Sequence, residues 1–369
     1  MTRRIVLAYS GSLGTSVAIP WLAEAHGAEV VALALDLGQG QDLEEVRDRA
    51  LAAGAVRAHV LDVREEFARE YVWPALQAGA LWKGRDPLAA ALGRPLIART
   101  LMDMAAIERA AAVAHGGQGA GGLGIERCAR ALAPDVPVIA PARDWGMTQA
   151  GLVEYARRRQ VPVPALNRRG PSGNLWGRTT RGAAPAAAVA VAMTTAAAGA
   201  PATPAYVEVA FERGVPTAIN GVPLSPTEII ESVAIIAGQH GVGRIDMAEA
   251  ANGHDVGPEV HEAPAAVVLH AAHRALERAV SPPELQRLTQ ELSATYAGLV
   301  RDGLWFTPTR EALDAFTATV QERVTGVVRV KLSEGRHLVV DRSSPYALDA
   351  PDLDASEPAL AGPTGVPGS

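Results

Sequence analysis

The stretch YSGSLGTS, residues 9–16, combines small, flexible and hydroxyl-bearing residues directly after a short apolar run. A strand that feeds a Gly/Ser/Thr-rich turn and then a helix can bind phosphate, because backbone amides and the helix N-terminus attract an anion without a charged side chain. The stretch contains neither an acidic residue nor a lysine, but its hydroxyl donors include Ser10, Thr15 and Ser16. It predicts a nucleotide-binding turn, with a Gly/Ser turn that only caps a helix as the simpler alternative.

A second glycine-rich stretch, AHGGQGAGG at residues 114–122, also follows an apolar run. It includes a G-x-G-x-x-G pattern at residues 117–122, which is the spacing of dinucleotide-binding turns. Those turns follow the first strand of their fold, whereas this one follows a later strand of the predicted sheet. We therefore interpret it as a flexible loop rather than as a dinucleotide fingerprint.

Strand-like and helix-like segments, which must position these loops, alternate along the first 165 residues. RIVLAYS, EVVALALDLG and RAHVLDV are typical of buried strands, and the segments that follow them are typical of helices. These helices include TSVAIPWLAEAHG, with its C-terminal glycine Gly27, and REEFAREYVWPALQAGAL. Such alternation predicts a parallel sheet covered on both faces, with ligands bound beyond the carboxyl ends of its strands. We expect residues 1–165 to form a doubly wound α/β nucleotide-binding domain.

The pattern changes after this region. Residues 161–205 are rich in Pro, Gly, Arg and Ala and are typical of a linker and loops. From residue 206 onward, two hairpin patterns enclose helical patterns, and the last hairpin turns at Ser333-Glu334-Gly335. We expect an α+β domain over residues 166–349 and a disordered Pro/Gly-rich tail over residues 350–369.

Composition excludes several classes of function. The 369 residues carry 34 basic and 40 acidic side chains, a net charge of -6, which argues against a nucleic-acid surface. The single cysteine, Cys128, rules out an intrachain disulfide or a CxxC metal site. No secretory segment is expected, and the alanine-rich stretch 183–200 is a poor membrane span because Pro, Thr and Gly interrupt it. We expect a cytoplasmic protein.

His270 and His273 are spaced i, i+3 on one predicted helix, but a zinc site needs a further ligand. We expect ordinary packing of this helix face and no resident metal.

Several blocks in order carry a resemblance to one family. They include IVLAYSGSLGTSVAIPWL, DLGQG, RPLIA, VIAPARDW, GNLWGR, HGVGRID, LHAAHRALE and GLWFTPTREALDAF. In these blocks the chain resembles the argininosuccinate synthase family. The resemblance implies a nucleotide-binding domain, a synthetase domain and a homo-oligomer, dimer or tetramer. Family members join citrulline to aspartate, using ATP with Mg²⁺ to adenylate the ureido oxygen and releasing AMP and pyrophosphate.

The resemblance assigns nucleotide contacts to loop residues, to the end of the second strand and to the second glycine-rich stretch. These are Ala8, Ser10, Gly11, Ser12, Gly14, Thr15, Ser16, Asp36 and Gly116. The family loop has the form S-G-G-x-D-T/S-S, so Ser12 replaces a glycine and Gly14 replaces the acid. Ser12 is compatible with the loop only if its backbone does not require a positive φ angle.

The resemblance assigns substrate contacts to ten further positions. These are Asp86, Arg94, Gln118, Gly122, Leu123, Glu126, Thr179, Arg181, Glu249 and His261. Arg94 and Glu249 match the family, and Thr179 keeps a hydroxyl; Arg94 could bind a carboxylate or phosphate, or form a structural ion pair.

The other substrate positions depart from the family pattern. At the citrulline positions, Asp86 and His261 each replace a tyrosine. At the aspartate positions, Thr, Asn, Asp and Arg become Gln118, Gly122, Leu123 and Glu126, while Arg181 replaces an acid.

These departures shape the expected function. We expect an ATP-dependent ligase that forms AMP and pyrophosphate and acts on small molecules, with a substrate pair other than citrulline and aspartate. One alternative is a catalytically inactive paralogue that acts as a binding or scaffold protein. The other is ordinary argininosuccinate synthesis. The sequence assigns no catalytic residue, and no nucleic-acid or membrane partner is expected.

Overall fold

A computed structural model of the protein describes residues 3–162, 172–181, 193–195, 199–247 and 259–348. The chain divides into two compact units, each built from three stretches. The first unit consists of Met1–Phe67, Ala91–Gly170 and Leu299–Glu311, and the second of Ala68–Ala90, Pro171–Gly298 and Ala312–Ser369. The domain boundaries expected near residues 165 and 349 stay predictions.

The strands of the described residues are β1 Arg4–Ala8, β2 Glu29–Asp36, β3 Arg57–Asp62, β4 Ala112–His115, β5 Val138–Ile139, β6 Ser172–Asn174, β7 Gly177–Arg181, β8 Ala205–Glu212, β9 Val215–Ile219, β10 Val222–Pro223, β11 Arg244–Met247, β12 Glu259–Glu262, β13 Gly326–Ser333 and β14 Arg336–Ser343.

The helices of the same residues are α1 Leu13–His26, α2 Leu43–Ala52, α3 Arg64–Phe67, α4 Trp73–Gln77, α5 Ala89–Glu108, α6 Gly119–Leu132, α7 Pro141–Asp144, α8 Gln149–Arg158, α9 Pro226–Gln239, α10 Pro264–Val280, α11 Pro283–Arg301 and α12 Pro308–Gln321. Among these described helices, none offers a stretch long and apolar enough to cross a membrane.

The first unit contains a parallel sheet of five strands in the order β3-β2-β1-β4-β5. The predicted doubly wound α/β fold is confirmed. Strand order reverses between β1 and β4, which lie side by side with Ala8 opposite His115. In open sheets of this kind, ligands bind outside the carboxyl ends of the strands at the point of reversal. Both glycine-rich stretches follow these two strands.

The core of the first unit follows from the apolar runs. Ile5, Val6 and Leu7 of β1 are 0% exposed, as expected for a central strand with a helix layer on each face. Helix α1 begins after Ser12 and ends at His26, and Gly27 caps it with a φ of 56°, the left-handed conformation that glycine adopts without strain.

The segment REEFAREYVWPALQ differs from its expected single helix. It forms α3, a π-helical turn at Ala68–Val72, and α4. Pro74 lies at the start of α4, where its missing N–H costs nothing, and a proline farther inside a helix would clash with the preceding turn. The π-helical turn accommodates this change of register.

The second unit contains two antiparallel sheets, in the orders β10-β9-β8-β13-β14 and β11-β12-β7-β6. Both predicted hairpins form, and Glu334 and Gly335 have φ angles of 51° and 76° at the tip of β13–β14. Two successive positive φ angles match the right-handed twist of paired strands. Strands β6 and β7 lie within the stretch that was expected to be a linker and loops.

At the amino ends of the parallel strands, Glu108 joins three basic side chains. Its carboxylate accepts hydrogen bonds from Arg4 Nη1 at 3.1 Å and Arg57 Nη1 at 3.0 Å, and lies 3.0 Å from His59 Nε2. The side chain is 2% exposed. Burial acts to raise the pKa of Glu108, but the bonds from His59 and Arg57 and the nearby charges hold that pKa below its ordinary value. This cluster ties β1, β3 and α5 together.

We expect Glu108→Gln to lower the free energy of unfolding at neutral pH by about 1–3 kcal/mol, because three partners lose their charged acceptor. Since the folded-state pKa is lowered, the contribution is complete above the ordinary glutamate pKa and is lost as the pH falls through the folded-state value. Urea unfolding at neutral and acidic pH measures both effects.

The matched control is Glu291→Gln on the exposed side of α11, which should change stability by less than about 0.5 kcal/mol. Equal effects of the two substitutions at neutral pH would contradict the role given to Glu108.

Candidate functional site

The first glycine-rich loop forms a turn around converging hydroxyl groups. Ser10 Oγ lies 3.0 Å from Ser12 Oγ and 3.3 Å from Thr15 Oγ1, and the last two are 3.2 Å apart. Beneath them, Tyr9 OH and the buried Ser16 Oγ are 2.9 Å apart. Gly11 has a φ of 72°. The loop thus places hydroxyl groups and the first N–H groups of α1 on the carboxyl side of the sheet, as a phosphate site requires.

The two family departures in this loop are tolerated for different reasons. Ser12 has φ -74° and ψ 163°, so its position does not require glycine, and its side chain accepts from Thr15 N as a helix cap at 3.5 Å. Gly14 lies in the first turn of α1, and a Cβ built there meets nothing within 4 Å. The loop backbone is therefore compatible with side chains at both positions.

Asp36 ends β2 near this edge of the sheet. Its Oδ1 accepts from Gly38 N at 2.8 Å, and its Oδ2 lies 3.5 Å from Arg64 Nε. Gln39 closes the same turn by accepting from Leu37 N at 2.7 Å. Asp36 thus shapes the turn after β2, and its carboxylate is already partly engaged by Arg64.

The loop after β4 packs its Gly116 backbone against the Thr15 side chain of the loop after β1. A Cβ built on Gly116 would lie 2.5 Å from Thr15 Cγ2, a distance that real Cβ atoms do not reach. Ala8, at the end of β1, is paired with His115. All nine predicted nucleotide-binding residues therefore lie in the first unit, eight of them at the sheet reversal point and Asp36 at the end of the neighbouring strand β2.

The start of α6 is closed by a second backbone contact. A Cβ on Gly122 would lie 2.5 Å from the carbonyl oxygen of Gly117, and one on Gly117 would lie 2.9 Å from Gly122 Cα. Gln118 is the N-cap residue of α6 and makes no side-chain cap bond, while Leu123 is 48% exposed. The expected flexible loop is instead a turn and helix start whose packing requires glycine at two positions.

Glu126 lies on the buried side of α6. Its carboxylate accepts from Arg143 Nη1 at 2.8 Å and lies 3.5 Å from both Arg130 Nη2 and His115 Nε2. The residue is 4% exposed. The inverted charge at this position is therefore neutralised within the first unit, which a buried carboxylate requires.

His115 connects this cluster to β4. Its Nδ1 accepts from Gly117 N at 3.2 Å, so the neutral ring carries its hydrogen on Nε2. Burial lowers the pKa of His115, and the charge of Arg143 lowers it further, against the opposing effect of Glu126. Among the described residues, Nε2 has no hydrogen-bond partner, since 3.5 Å to Glu126 is too long for a good bond.

Arg94 is engaged in structural contacts. Its Nη1 donates to the carbonyl oxygen of Arg301 at 2.9 Å, and a Cβ on Gly124 would lie 2.8 Å from Arg94 Cδ. The guanidinium therefore stacks over α6 and holds the end of α11 within the first unit. Its assignment as a substrate contact stays a prediction.

In the second unit, three predicted substrate residues come together. Asp86 Oδ1 accepts from Leu88 N at 2.9 Å and lies 3.5 Å from His261 Nδ1. The Asp86 and His261 side chains are 15% and 16% exposed. Thr179 on β7 is directly opposite His261 on β12. The two residues that replace family tyrosines thus face each other as an acid–imidazole pair.

The β6–β7 hairpin fixes this group. Asn174 Nδ2 donates to the carbonyl oxygen of Ala89 at 2.7 Å, and the fully buried Trp176 donates from Nε1 to the carbonyl oxygen of Pro87 at 3.2 Å. A Cβ on Gly177 would lie 3.0 Å from both the carbonyl oxygen of Glu262 and Ala263 Cβ. These contacts bring β7 and β12 to the segment that carries Asp86.

The structure does not describe Glu249, and it describes Arg181 only through its backbone. Glu249 lies outside the described residues, and so do residues 350–369. Arg181 ends β7, where its backbone pairs with Glu259.

The paired histidines of α10 belong to the core of the second unit. His273 Nε2 is 2.8 Å from Gln321 Oε1, and burial lowers the pKa of His270 to about 3 and that of His273 to about 4. Across the described part of the chain, no group of three His, Cys, Asp or Glu residues could hold a metal ion.

Two contacts near the predicted sites were not found from the sequence. Arg49 on α2 donates from Nη1 to the carbonyl oxygen of Gly11 at 2.9 Å. Glu262 accepts from Met193 N and Thr194 N, both at 3.2 Å. The i, i+4 spacing of Glu45 and Arg49 is visible in the sequence. The contact between Arg49 and Gly11 is not, because the two residues are 38 positions apart.

Two family models match this chain in succession. The description "Arginosuccinate synthase N-terminal HUP domain" matches residues 4–162, and "Arginosuccinate synthase C-terminal domain" matches residues 179–358. The chain belongs to the argininosuccinate synthase family. The resemblance inferred from the sequence blocks is confirmed.

Relatives in several bacteria match over almost the whole chain. A protein of Dehalococcoides mccartyi named argininosuccinate synthase is 44% identical over 360 residues, covering 94% of this chain and 88% of the relative. Proteins with the same name from Rubrobacter xylanophilus and Gloeobacter violaceus are 45% and 46% identical, covering 96% and 94% of this chain and 89% and 90% of the relatives. This argininosuccinate synthase family member thus spans most of the length of these relatives.

The glycine contact at the start of α6 gives a test with adjacent residues. Gly122→Ala should destabilise the protein by about 1–3 kcal/mol, because the new Cβ meets backbone that must move. Gly121→Ala places its Cβ in open space in the same helix and should stabilise by about 0.5–1 kcal/mol. Thermal and urea unfolding measure both. A Gly122→Ala variant as stable as Gly121→Ala would contradict the close packing of Gly117 and Gly122.

Proposed function

We propose that this chain is an ATP-dependent ligase of the argininosuccinate synthase type, which converts ATP to AMP and pyrophosphate while joining two small molecules. The observation that carries the proposal is the loop at residues 9–16, with its converging hydroxyl groups and helix N-terminus at the reversal point of the sheet. Family membership over both matched regions supports it.

The donor set of the loop fits the phosphates of ATP. Ser10, Ser12 and Thr15 supply hydroxyl groups, Gly11 supplies a left-handed backbone turn, and no carboxylate lies in the loop to repel an anion. Mg²⁺ would accompany the phosphates, which it binds through oxygen atoms. ATP, when bound, supplies the group that activates the acceptor oxygen. The chain itself contributes positioning and electrostatic stabilisation rather than a covalent nucleophile.

Citrulline and aspartate are the substrate pair that the relatives favour. Proteins 44–46% identical to this chain over most of its length carry the name argininosuccinate synthase. We therefore propose argininosuccinate synthesis as the first reaction to test. A cytoplasmic location and a homo-oligomeric state, dimer or tetramer, belong to the same proposal.

A changed substrate pair is the second candidate, and two observations favour it. Glu126 is a buried carboxylate bound to Arg143 at a position where the sequence comparison expects a substrate-binding arginine. Asp86 and His261, which replace two tyrosines, face each other at 3.5 Å. A site built for a charged group rejects its ligand strongly when that partner is absent, by about 1–3 kcal/mol for each buried group left unpaired.

The deciding measurement is release of AMP and pyrophosphate by the purified protein with Mg·ATP, citrulline and aspartate, with product identified by mass spectrometry. Argininosuccinate formation is the expected result. Mg·ATP binding by calorimetry without turnover of this pair would favour the second candidate, and would justify replacing aspartate by amines and citrulline by other ureido or amide compounds.

The control for this assay is Gly11→Val, because a Cβ at position 11 would lie 3.0 Å from Arg49 Nη1 and 3.2 Å from Val46 Cγ2 in a left-handed backbone. It should abolish ATP binding. Failure of the wild-type protein to bind Mg·ATP would overturn the ligase proposal and favour an inactive paralogue that serves as a binding or scaffold protein.

A further inference from the structure

Arg49 is the cation of α2 that reaches the loop at residues 9–16. Its Nη1 donates to the carbonyl oxygen of Gly11 at 2.9 Å, and its Nη2 pairs with the carboxylate of Glu45. The Arg49 side chain is 13% exposed, whereas that of Glu45 is 68% exposed. The guanidinium therefore lies beneath the loop and is held in place from the solvent side.

This contact fixes the orientation of one peptide group. No peptide bond in the described residues is cis, so the carbonyl of Gly11 and the N–H of Ser12 point in opposite directions. Because the carbonyl points to Arg49 on α2, the Ser12 N–H points away from α2. That N–H precedes the first N–H groups of α1, which have no acceptor within their helix.

The packing around Gly11 also shows that Arg49 lies close to the loop backbone. A Cβ on Gly11 would meet Arg49 Nη1 at 3.0 Å and Val46 Cγ2 at 3.2 Å, while the backbone has a φ of 72°. Arg49 and Val46 of α2 thus pack directly against the turn at Gly11. The Arg49 charge also acts on Tyr9, where it opposes the effect of burial on the pKa of the hydroxyl group.

We propose that Arg49 is a positioning residue for phosphate binding: it holds the Gly11 carbonyl so that the following amide faces a bound phosphate. The inference deepens the proposed function and rests on it. It assigns to α2 a part in nucleotide binding that the loop residues alone do not supply. A charge-assisted hydrogen bond suits this task, because it is stronger than a neutral one.

Calorimetric titration of the full chain with Mg·ATP and with inorganic pyrophosphate tests the proposal. Arg49→Met should weaken both affinities at least about tenfold, as expected when a charge-assisted hydrogen bond is lost. Arg49→Lys keeps the charge and a donor, and should recover most of the affinity. Arg47→Met removes the same charge from an exposed position of α2 and should leave both affinities within about twofold of wild type.

Measurements well below the melting temperature of every variant separate positioning from folding. A merely structural role for Arg49 would lower the melting temperature and leave the dissociation constants unchanged in the folded protein, and this result would overturn the inference. If Arg49→Met does not fold, Arg49→Gln takes its place, and pyrophosphate binding by Arg49→Gln as tight as wild type would likewise overturn it.

The proposed function and this inference fail in different ways. No binding of Mg·ATP by the wild-type protein would overturn the proposed function and, with it, the role of Arg49. Binding by the wild-type protein that is equal in the folded Arg49→Met variant would overturn the role of Arg49 alone.

Discussion

Close packing of two glycines, Gly116 and Gly122, at the reversal point of the parallel sheet is the constraint on which the candidate site depends. A Cβ added to Gly116 would lie 2.5 Å from the methyl carbon of Thr15. A Cβ added to Gly122 would lie 2.5 Å from the carbonyl oxygen of Gly117. A side chain at Gly116 would push the loops after β1 and β4 apart, and a side chain at Gly122 would disrupt the start of α6. Their absence lets two loops that are about 100 residues apart in sequence form one edge.

Charged residues that depart from the family pattern have polar or oppositely charged partners nearby. Glu126 is buried, and an unpaired carboxylate there would be strongly destabilising, but Arg143 donates to it at 2.8 Å and Arg130 lies at 3.5 Å. In the second unit, Asp86 faces His261 and also accepts from Leu88 N. Glu126, Asp86 and His261 thus each have a polar or oppositely charged neighbour, so the fold accommodates these three changes.

The loop at residues 9–16 behaves differently, because its backbone form is compatible with both substitutions. Ser12 adopts an extended φ and caps α1, and Gly14 lies in open space. Phosphate recognition by backbone amides depends on the path of the chain more than on side-chain identity. This explains how a loop without its acid keeps the geometry expected of a nucleotide site, while the predicted substrate positions, which would depend on side chains, differ in chemistry from the family pattern.

Local sequence patterns determined most of the elements. The apolar run of β1, the C-terminal glycine of α1 and the turn at Glu334-Gly335 each depend on neighbouring residues, so hydrophobic period and turn chemistry predicted them. The segment around Pro74 was not predicted correctly, because the helix pattern continues while the proline forces a change of register. Strands β6 and β7 were missed because their partners, β12 and the segment near Pro87, are distant in sequence.

The sequence by itself determined the alternating elements of the first unit, the two glycine-rich loops and, through its ordered blocks, the family. Only the tertiary structure decided that Arg49 reaches Gly11, that Arg143 neutralises Glu126, and that Asp86 faces His261. The physical reason is one of range. Backbone conformation is set largely by residues within one turn or one pair of strands, whereas the partner of a buried charge is set by which elements the fold packs together.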